Sequence, residues 1–236
     1  NSSQAGKGKI TGATGAQGYG VYLNTDSTVS LFGGSICDHS QSGVYVNQAA
    51  SGTVFNMYGG EISSNGGTNK YAAPKFGGGI SNHTADGIIN IFGGTIRDNL
   101  SMACGGGIDS YGTLNISDAT ITENRSGYDT GYYGERGGGG VYSTGTITIS
   151  GDTFITDNIS AGNGGGISVQ GGTLNLYGGT ITGNHSESSV NGGGGGIYID
   201  QYREDTIFNL KGNLTITENT GVIDNDGKTV RTVPSN

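Results

Sequence analysis

Two short motifs alternate along most of this chain, and their repetition limits the folds that it can adopt. The first motif is a glycine run followed by a β-branched residue, and the second is Ile-x-x-Asn. Full copies of the first end at Ile80, Ile108, Val141, Ile167 and Ile197, and weaker forms precede Val21 and Val44. Copies of the second end at Asn65, Asn99, Asn124, Asn158, Asn184 and Asn219, with a degenerate copy at His39. A fixed internal repeat of this kind indicates a repeat architecture.

An alternating run such as Thr173-Leu174-Asn175-Leu176 lies between the two motifs, so each repeat predicts three short strands. Alternation with period two turns Ile80, Ile91 and Ile96 of one coil inward, where the equivalent residues of the next coil stack on them. The sequence therefore predicts an all-β, right-handed parallel β-helix of about seven three-stranded coils, roughly 35 Å long at the usual strand spacing.

A β-propeller is the main alternative architecture, and the spacing of the repeats disfavours it. The steps from one motif residue to the next, from His39 to Asn219, are 26, 34, 25, 34, 26 and 35 residues. A propeller blade needs about 40 residues and four strands. The steps suit a solenoid coil that carries a variable loop.

Glycine and asparagine are interpreted as structural residues of the coil. Glycine makes up 50 of the 236 residues and accepts the positive φ that a corner requires. Asparagine also suits a left-handed turn position. We expect the repeated Asn side chains to form a hydrogen-bonded ladder along the axis.

The repeat predicts the organisation of the chain. Residues 19–221 form the β-helix, 1–18 are an N-terminal cap or linker, and 222–236 are a C-terminal cap or tail. Both ends resemble cuts through a longer protein, so we expect a monomeric fragment of a larger surface protein. Cys37 and Cys104 fall two to three coils apart, too far to bridge, and are expected to be free thiols.

Charge and hydropathy exclude two classes of partner. The net charge is −8 and no cationic cluster is present, which disfavours a nucleic-acid partner. No apolar stretch approaches the length of a membrane span, so membrane insertion is not expected.

Extra residues follow the Asn of alternate coils, at 66–76, 125–136 and 185–192, with a further expansion at 201–206. Insertions in solenoids often form the binding face, and exposed Tyr with Arg suits sugar or protein contacts. The predicted ligand-binding residues in these loops are Tyr71, Phe76, Tyr128, Tyr132, Tyr133 and Arg136. The alternative is that these rings fold back over the glycine-rich corner.

The first strand of each coil offers a second candidate surface. Residues one and three positions after its inward Ile or Val should point outward. They are Ser81 and His83, Asp109 and Tyr111, Tyr142 and Thr144, Ser168 and Gln170, and Tyr198 and Asp200. This stripe resembles a shallow groove in which Tyr111, Tyr142 and Tyr198 bind ligand, or else it is an ordinary solvated sheet face.

Catalytic and metal chemistry has weaker support in the sequence. Glycosidases use two carboxylates about 5 Å apart, or somewhat more, whereas Asp109 and Asp200 should lie roughly 14 Å apart. Asp200, Glu204 and Asp205 could form an acid pair or a small Ca²⁺ site, and the alternative is a solvated loop. The three histidines lack metal-ligand spacing, so we expect no bound metal and no cofactor.

The alternation of Gly-Gly-x-Ile with a hydrophobic-x-x-Asn motif, carried for example by Gly78, Gly79 and Ile80 with Ile96 and Asn99, resembles the repeats of polymorphic outer-membrane protein adhesins. The resemblance covers residues from about 43 to 219. This chain departs by carrying Ile at the aromatic position and often Gly at the alanine position. The resemblance implies a bacterial surface protein that binds host cells, while the wider β-helix superfamily also contains polysaccharide lyases and glycosidases.

Three functions follow as hypotheses. The first is a secreted or cell-surface adhesin domain that binds a host or plant glycan or a protein through the aromatic loop edge. The second is a carbohydrate-active enzyme, a glycosidase or polysaccharide lyase. The third is a passive structural spacer.

Overall fold

The computed structural model describes residues 8–49, 51–66, 76–127, 137–188, 193–200 and 206–221. These residues form a parallel β-helix, as the repeat predicts. Strands that occupy the same position in successive coils pair in parallel, so each sheet runs along the axis of the solenoid. The strands are grouped below by sheet.

The Gly-run sheet contains the strands that follow the glycine runs. Its members are β2 (Val21–Leu23), β5 (Val44–Val46), β8 (Ile80–Asn82), β11 (Ile108–Ser110), β15 (Val141–Ser143), β19 (Ile167–Val169) and β23 (Ile197–Ile199).

The alternating sheet contains the period-two runs. Its members are β3 (Thr28–Leu31), β6 (Val54–Met57), β9 (Ile88–Ile91), β12 (Thr113–Ser117), β16 (Thr146–Ser150), β20 (Thr173–Leu176) and β24 (Ile207–Leu210).

The Asn-motif sheet contains the Ile of each Ile-x-x-Asn copy. Its members are β1 (Lys9–Thr11), β4 (Ser35–Cys37), β7 (Glu61–Ser63), β10 (Gly94–Arg97), β13 (Ala119–Thr122), β17 (Phe154–Thr156), β21 (Gly179–Thr182) and β25 (Leu214–Thr217). Its first strand, β1, lies within the segment interpreted as an N-terminal cap or linker, and it pairs with β4.

A fourth, short sheet follows the Asn in the later coils and was not predicted. Its members are β14 (Arg125–Ser126), β18 (Ile159–Ser160), β22 (His185–Ser186) and β26 (Thr220–Gly221). These strands are two residues long, and the Ser126 hydroxyl donates to the Ser160 hydroxyl over 3.1 Å.

The core is a column of Ile, Leu, Val, Met and Phe side chains that fills the centre of the coils. Register keeps like residues together, because Ile62, Ile96, Ile121, Ile155 and Ile181 occupy successive rungs. All five are buried. Stacked apolar side chains of this kind supply most of the stability of a narrow solenoid.

The Asn residues form the predicted ladder inside the corner. From Asn99 onward, each Oδ1 accepts from the side chain of the Asn one coil earlier, as in Asn99 Nδ2 to Asn124 Oδ1 at 3.0 Å and Asn124 Nδ2 to Asn158 Oδ1 at 3.0 Å. The expectation of a left-handed backbone at these Asn residues is wrong. The residue before the Asn takes the positive φ, as at Glu123 (57°), because the bend must finish before the Asn side chain turns inward.

Candidate functional site

The outward residues of the Gly-run sheet lie outside the central core, yet they do not form a solvated surface. Ser81, Asp109, Tyr142 and Ser168 are each no more than 1% exposed. The prediction of a shallow open groove or a solvated face is therefore wrong for these positions.

A second layer of side chains explains part of this burial. Ala103, Cys104 and Tyr142 form a separate buried cluster, and Phe76 and Tyr111 pack against it. The backbone of Phe76 bridges that of Cys104, so the ends of two glycine-run loops lie side by side over the sheet. The outer face of the Gly-run sheet is thus buried at β8, β11, β15 and β19, whereas Tyr22 on β2 is 53% exposed.

The size of the side chains along this face changes abruptly at Ser81. Tyr45, Ser81 and Asp109 are register partners on successive strands β5, β8 and β11. A small hydroxymethyl group between a phenol ring and a carboxylate leaves unfilled volume. A pocket of about 240 Å³ opens there, and its lining residues are Tyr19, Gln41, Ser42, Tyr45, Phe76, Ser81 and His83. We call it the Ser81 pocket.

Aromatic rings build most of the wall of the Ser81 pocket. Tyr19 stacks on Tyr45 with ring centroids 4.5 Å apart, and Tyr22 lies 5.3 Å from Tyr45. The ring of His83 meets Tyr45 and Phe76 edge-on, at 5.6 and 5.3 Å. These separations fall within the range of favourable aromatic pairs, so the rings hold one another in place.

The imidazole of His83 is fixed from behind by two neighbours. Its Nε2 lies 3.1 Å from Oδ2 of the fully buried Asp109, and its ring stacks on Tyr111 with centroids 5.1 Å apart. The ring orientation is therefore set by a buried carboxyl group and by a stacked phenol.

Ser81, beneath the pocket, has an unsatisfied polar atom. Its Oγ is buried and has no hydrogen-bond partner in the described structure. A buried hydroxyl without a partner costs about 1–3 kcal/mol, and this one is out of contact with solvent.

The phenols of the pocket are held in their neutral form. Burial raises the pKa of Tyr19, and the neighbouring Tyr22 adds to the effect. Burial also raises the pKa of Tyr45, with further contributions from Tyr19 and Tyr22. Both groups therefore remain hydroxyls at neutral pH.

Comparison with known proteins adds no assignment. No protein-family model, no curated protein and no solved structure matches this chain.

The structure brings together some of the predicted site residues. Phe76 lines the Ser81 pocket, and Tyr111 supports His83. Tyr142 is buried two strands beyond Ser81, where its hydroxyl donates to Gln170 Oε1 over 3.0 Å. Tyr198, on β23, lies farther along the sheet, in register with Ser168 of β19.

The predicted acids do not meet in the described structure. Asp109 is on β11 and Asp200 directly follows β23, three strands further on, which corresponds to roughly 14 Å. The remaining predicted residues lie outside the described part of the chain. They are Tyr71, Tyr128, Tyr132, Tyr133, Arg136, Glu204 and Asp205.

Sequence reasoning missed Tyr19, Tyr45, Gln41 and Ser42. The available signal was weak, because these residues belong to the first two coils, where the glycine run before Val21 and Val44 is degenerate. The Val-Tyr-Val of β5 does show an outward aromatic residue between two inward ones.

A larger groove of about 660 Å³ lies elsewhere, beside β17 and β21, with the exposed rings of Phe154 and Tyr177 on its walls. None of its lining residues has a buried unpaired polar atom. Within the described ranges, no three His, Cys, Asp or Glu side chains are grouped so that they could hold a metal ion. Those ranges also contain no helix that is long and apolar enough to cross a membrane.

Proposed function

We propose that this chain is the glycan-binding domain of a bacterial secreted or cell-surface adhesin, and that the Ser81 pocket holds one ring of the glycan. The observation that carries the proposal is a preformed pocket with aromatic walls that the polar residues Gln41, Ser42 and His83 also line. Aromatic faces cover the apolar face of a sugar, while hydroxyl, amide and imidazole groups bond its hydroxyls.

The dimensions of the pocket suit a single ring. Its volume of about 240 Å³ lies just below the range of roughly 300–1,000 Å³ that is usual for pockets holding drug-sized ligands. The wall is preformed, since Tyr19, Tyr45, Phe76 and His83 already pack against one another. A preformed site loses little conformational entropy when the ligand binds.

The pair of His83 and Asp109 favours a carbohydrate-active enzyme as the second candidate. An imidazole held by a buried carboxylate is suited to act as a base. A glycosidase would also need two carboxylates about 5 Å apart or somewhat more, and the described lining residues of the pocket include neither Asp nor Glu. Binding is therefore the better-supported function.

A glycan array probed with the labelled chain tests the proposal. We expect retention on a small, chemically related set of glycans. Tyr45→Ala should reduce that retention at least tenfold, because it removes the ring that stacks on Tyr19 and meets His83 edge-on. Tyr177→Ala is the matched control, since this exposed ring lines the separate groove beside β21.

A second variant separates the pocket from the aromatic loop. If Tyr128→Ala, Tyr132→Ala and Tyr133→Ala together abolish retention while Tyr45→Ala does not, the loop is the binding site and the pocket is not. Retention of no glycan at all would contradict the glycan proposal and favour the passive spacer.

A further inference from the structure

The outer face of the alternating sheet differs in charge from that of the Asn-motif sheet. The seven strands that form the alternating sheet in the described part of the chain contain no Asp, Glu, Lys or Arg. The Asn-motif sheet carries Lys9, Glu61 and Arg97. Since soluble proteins usually keep charged residues on their exposed faces, a charge-free face on a chain with a net charge of −8 favours an uncharged partner.

The central part of this face is continuous and open to solvent. Its strands pair in register from β6 to β20. The connections before and after β9, β12, β16 and β20 are only one to five residues long, and all outward residues of these four strands are at least partly exposed. We call the outward residues of β6, β9, β12, β16 and β20 the amide face.

Asn side chains form a hydrogen-bonded column along the amide face. Asn90 Nδ2 donates to Asn56 Oδ1 and Asn115 Nδ2 donates to Asn90 Oδ1, each over 2.9 Å. Farther along, Asn175 Nδ2 donates to Thr148 Oγ1 over 3.3 Å. An Asn side chain has two N–H donors and two acceptor lone pairs. The column uses one of each at Asn90, so one N–H and one lone pair remain there for a ligand.

The repeat distance of the column restricts which ligand can use several of its amides at once. The column repeats at the strand spacing of about 4.8 Å. A stack of amide groups joined N–H to O=C has nearly the same repeat, as the Asn ladders of cross-β fibrils do. A fibrous polysaccharide whose chains stack through acetamido groups would therefore stay in step with the column over several rungs. A polymer of sugars without amide groups would offer hydroxyls but no such match.

We propose that the amide face binds the surface of an uncharged, fibrous polysaccharide of N-acetylated amino sugars, such as chitin, by pairing its Asn amides with acetamido groups. None of the residues that line the Ser81 pocket belongs to this face, so the inference goes beyond the proposed function. A second copy of the chain could also match the column, but two chains of net charge −8 repel each other.

Depletion of the chain from solution by insoluble polysaccharide tests the proposal. The two probes are chitin powder and microcrystalline cellulose, which is also uncharged and fibrous but has no amide groups, at equal surface area. We expect the chain to bind chitin at least about tenfold more tightly than cellulose, because cellulose offers no acetamido partner for the Asn column.

A double variant tests the role of the amides. Asn90→Thr with Asn115→Thr removes two amides and places there a residue that the column already contains, since Thr148 is in register with Asn115. We expect it to bind chitin at least about tenfold more weakly than the wild type. Thr122→Val with Thr156→Val is the matched control. It removes a pair of hydroxyls bonded across two rungs over 3.0 Å, but on the Asn-motif sheet, so chitin binding should not change.

Comparison with the glycan array separates this inference from the proposed function. Tyr45→Ala should lose retention on the array and keep its binding to chitin, whereas the double Asn variant should do the reverse. If Tyr45→Ala loses both, the Ser81 pocket binds chitin and the role of the amide face is wrong.

Three further results would overturn the inference. Chitin and cellulose could bind the wild-type chain equally, or neither could bind it, and both results are independent of whether any variant folds. Sedimentation equilibrium could also show a wild-type dimer that the double Asn variant does not form. The amide face would then be a contact between two copies of the chain, while glycan binding in the Ser81 pocket would stand.

Discussion

At the scale of single residues, the Asn ladder shows why the same polar side chain recurs in successive coils from Asn65 to Asn219. The Oδ1 of Asn124 accepts from both the backbone N and the Nδ2 of Asn99, at 3.1 and 3.0 Å. Its Nδ2 donates to the Ile96 carbonyl at 2.9 Å and to Asn158 Oδ1 at 3.0 Å. One amide thus satisfies backbone groups that a tight corner would otherwise leave buried and unpaired.

Removing one rung of this ladder should be costly. In Asn124→Ala, the partners on Asn99, Ile96 and Asn158 lose their bonds in a site from which water is excluded. Because each buried orphan costs about 1–3 kcal/mol, we expect a loss of at least about 3 kcal/mol in the free energy of unfolding, measured by urea denaturation.

Asn115→Ala is the matched control for that measurement. Asn115 also stacks in a ladder, donating to Asn90 Oδ1 over 2.9 Å, but this ladder lies on the partly exposed face of the alternating sheet. Water can replace the lost bond, so the expected loss is only about 0.5–1.5 kcal/mol. Equal losses in the two variants would show that burial is not what makes the inner ladder important.

At the scale of elements, the first coil differs from the others because His39 takes the place of the ladder Asn. Its Nδ1 accepts from the backbone N of Ala13 at 3.1 Å, and its Nε2 lies 3.1 Å from the Ile10 carbonyl. With one nitrogen accepting and the other donating, the neutral ring joins β1 and the segment after it to the rest of the coil.

This arrangement predicts that acid weakens the attachment of β1. Burial lowers the pKa of His39, so the unfolded chain takes up a proton more readily than the folded one. The contribution of neutral His39 to the free energy of unfolding is therefore fully present above its unfolded pKa of about 6.5. It is lost as the pH falls from that value through the lower pKa of the folded state. We expect His39→Asn to lose less stability than the wild type between about pH 7 and pH 5, measured by urea denaturation.

The neighbouring Asp38 does not add a pH dependence of its own between about pH 7 and pH 5, and a second histidine provides a control. The hydrogen bond from Lys9 holds the pKa of the adjacent Asp38 below its usual value, so this carboxylate stays ionised. His185→Asn is the control variant, because His185 bonds the side-chain hydroxyl of Thr220 at the surface rather than two backbone groups. Identical acid sensitivity of the wild type and His39→Asn would contradict the role given to His39.

The elements also show where sequence reasoning succeeds and where it stops. The positions of strands with a period-two pattern or a motif Ile were predictable, because alternating apolar residues and glycines at strand ends are signals within a short stretch of sequence. The two-residue strands β14 and β18 have no pattern that a sequence can display. The burial of Asp109 and Tyr142 depends on which distant segments cover the Gly-run sheet, and no local rule encodes that.

At the scale of the whole molecule, each coil contacts chiefly the coils before and after it. Central strands such as β12 have two neighbours and bury alternate side chains, whereas β24 at the end of its sheet is exposed along its length. Leu210 and Ile207 of that strand are each 53% exposed. The stability of such an array is the sum of nearest-neighbour terms, so it differs from coil to coil.

Amide hydrogen exchange should reveal this gradient. We expect the slowest exchange in β9, β12 and β16, and exchange at least about tenfold faster in β24 and β26, since terminal units open without disturbing the centre. Mass spectrometry of peptides from quenched samples measures both regions in one experiment. Uniform protection from β3 to β26 would mean that the solenoid opens only as a single cooperative unit.

The ladder spacing has a mechanical consequence. Neighbouring rungs are 34, 25, 34, 26 and 35 residues apart from Asn65 to Asn219. A tension applied along the axis would peel one coil at a time from the end of the stack. Each released coil would lengthen the tether by roughly 80 to 125 Å when drawn straight. The increases in length would alternate between short and long. A rod held at one end and bound to a ligand at the other would therefore unfold coil by coil under tension while its ends stay attached.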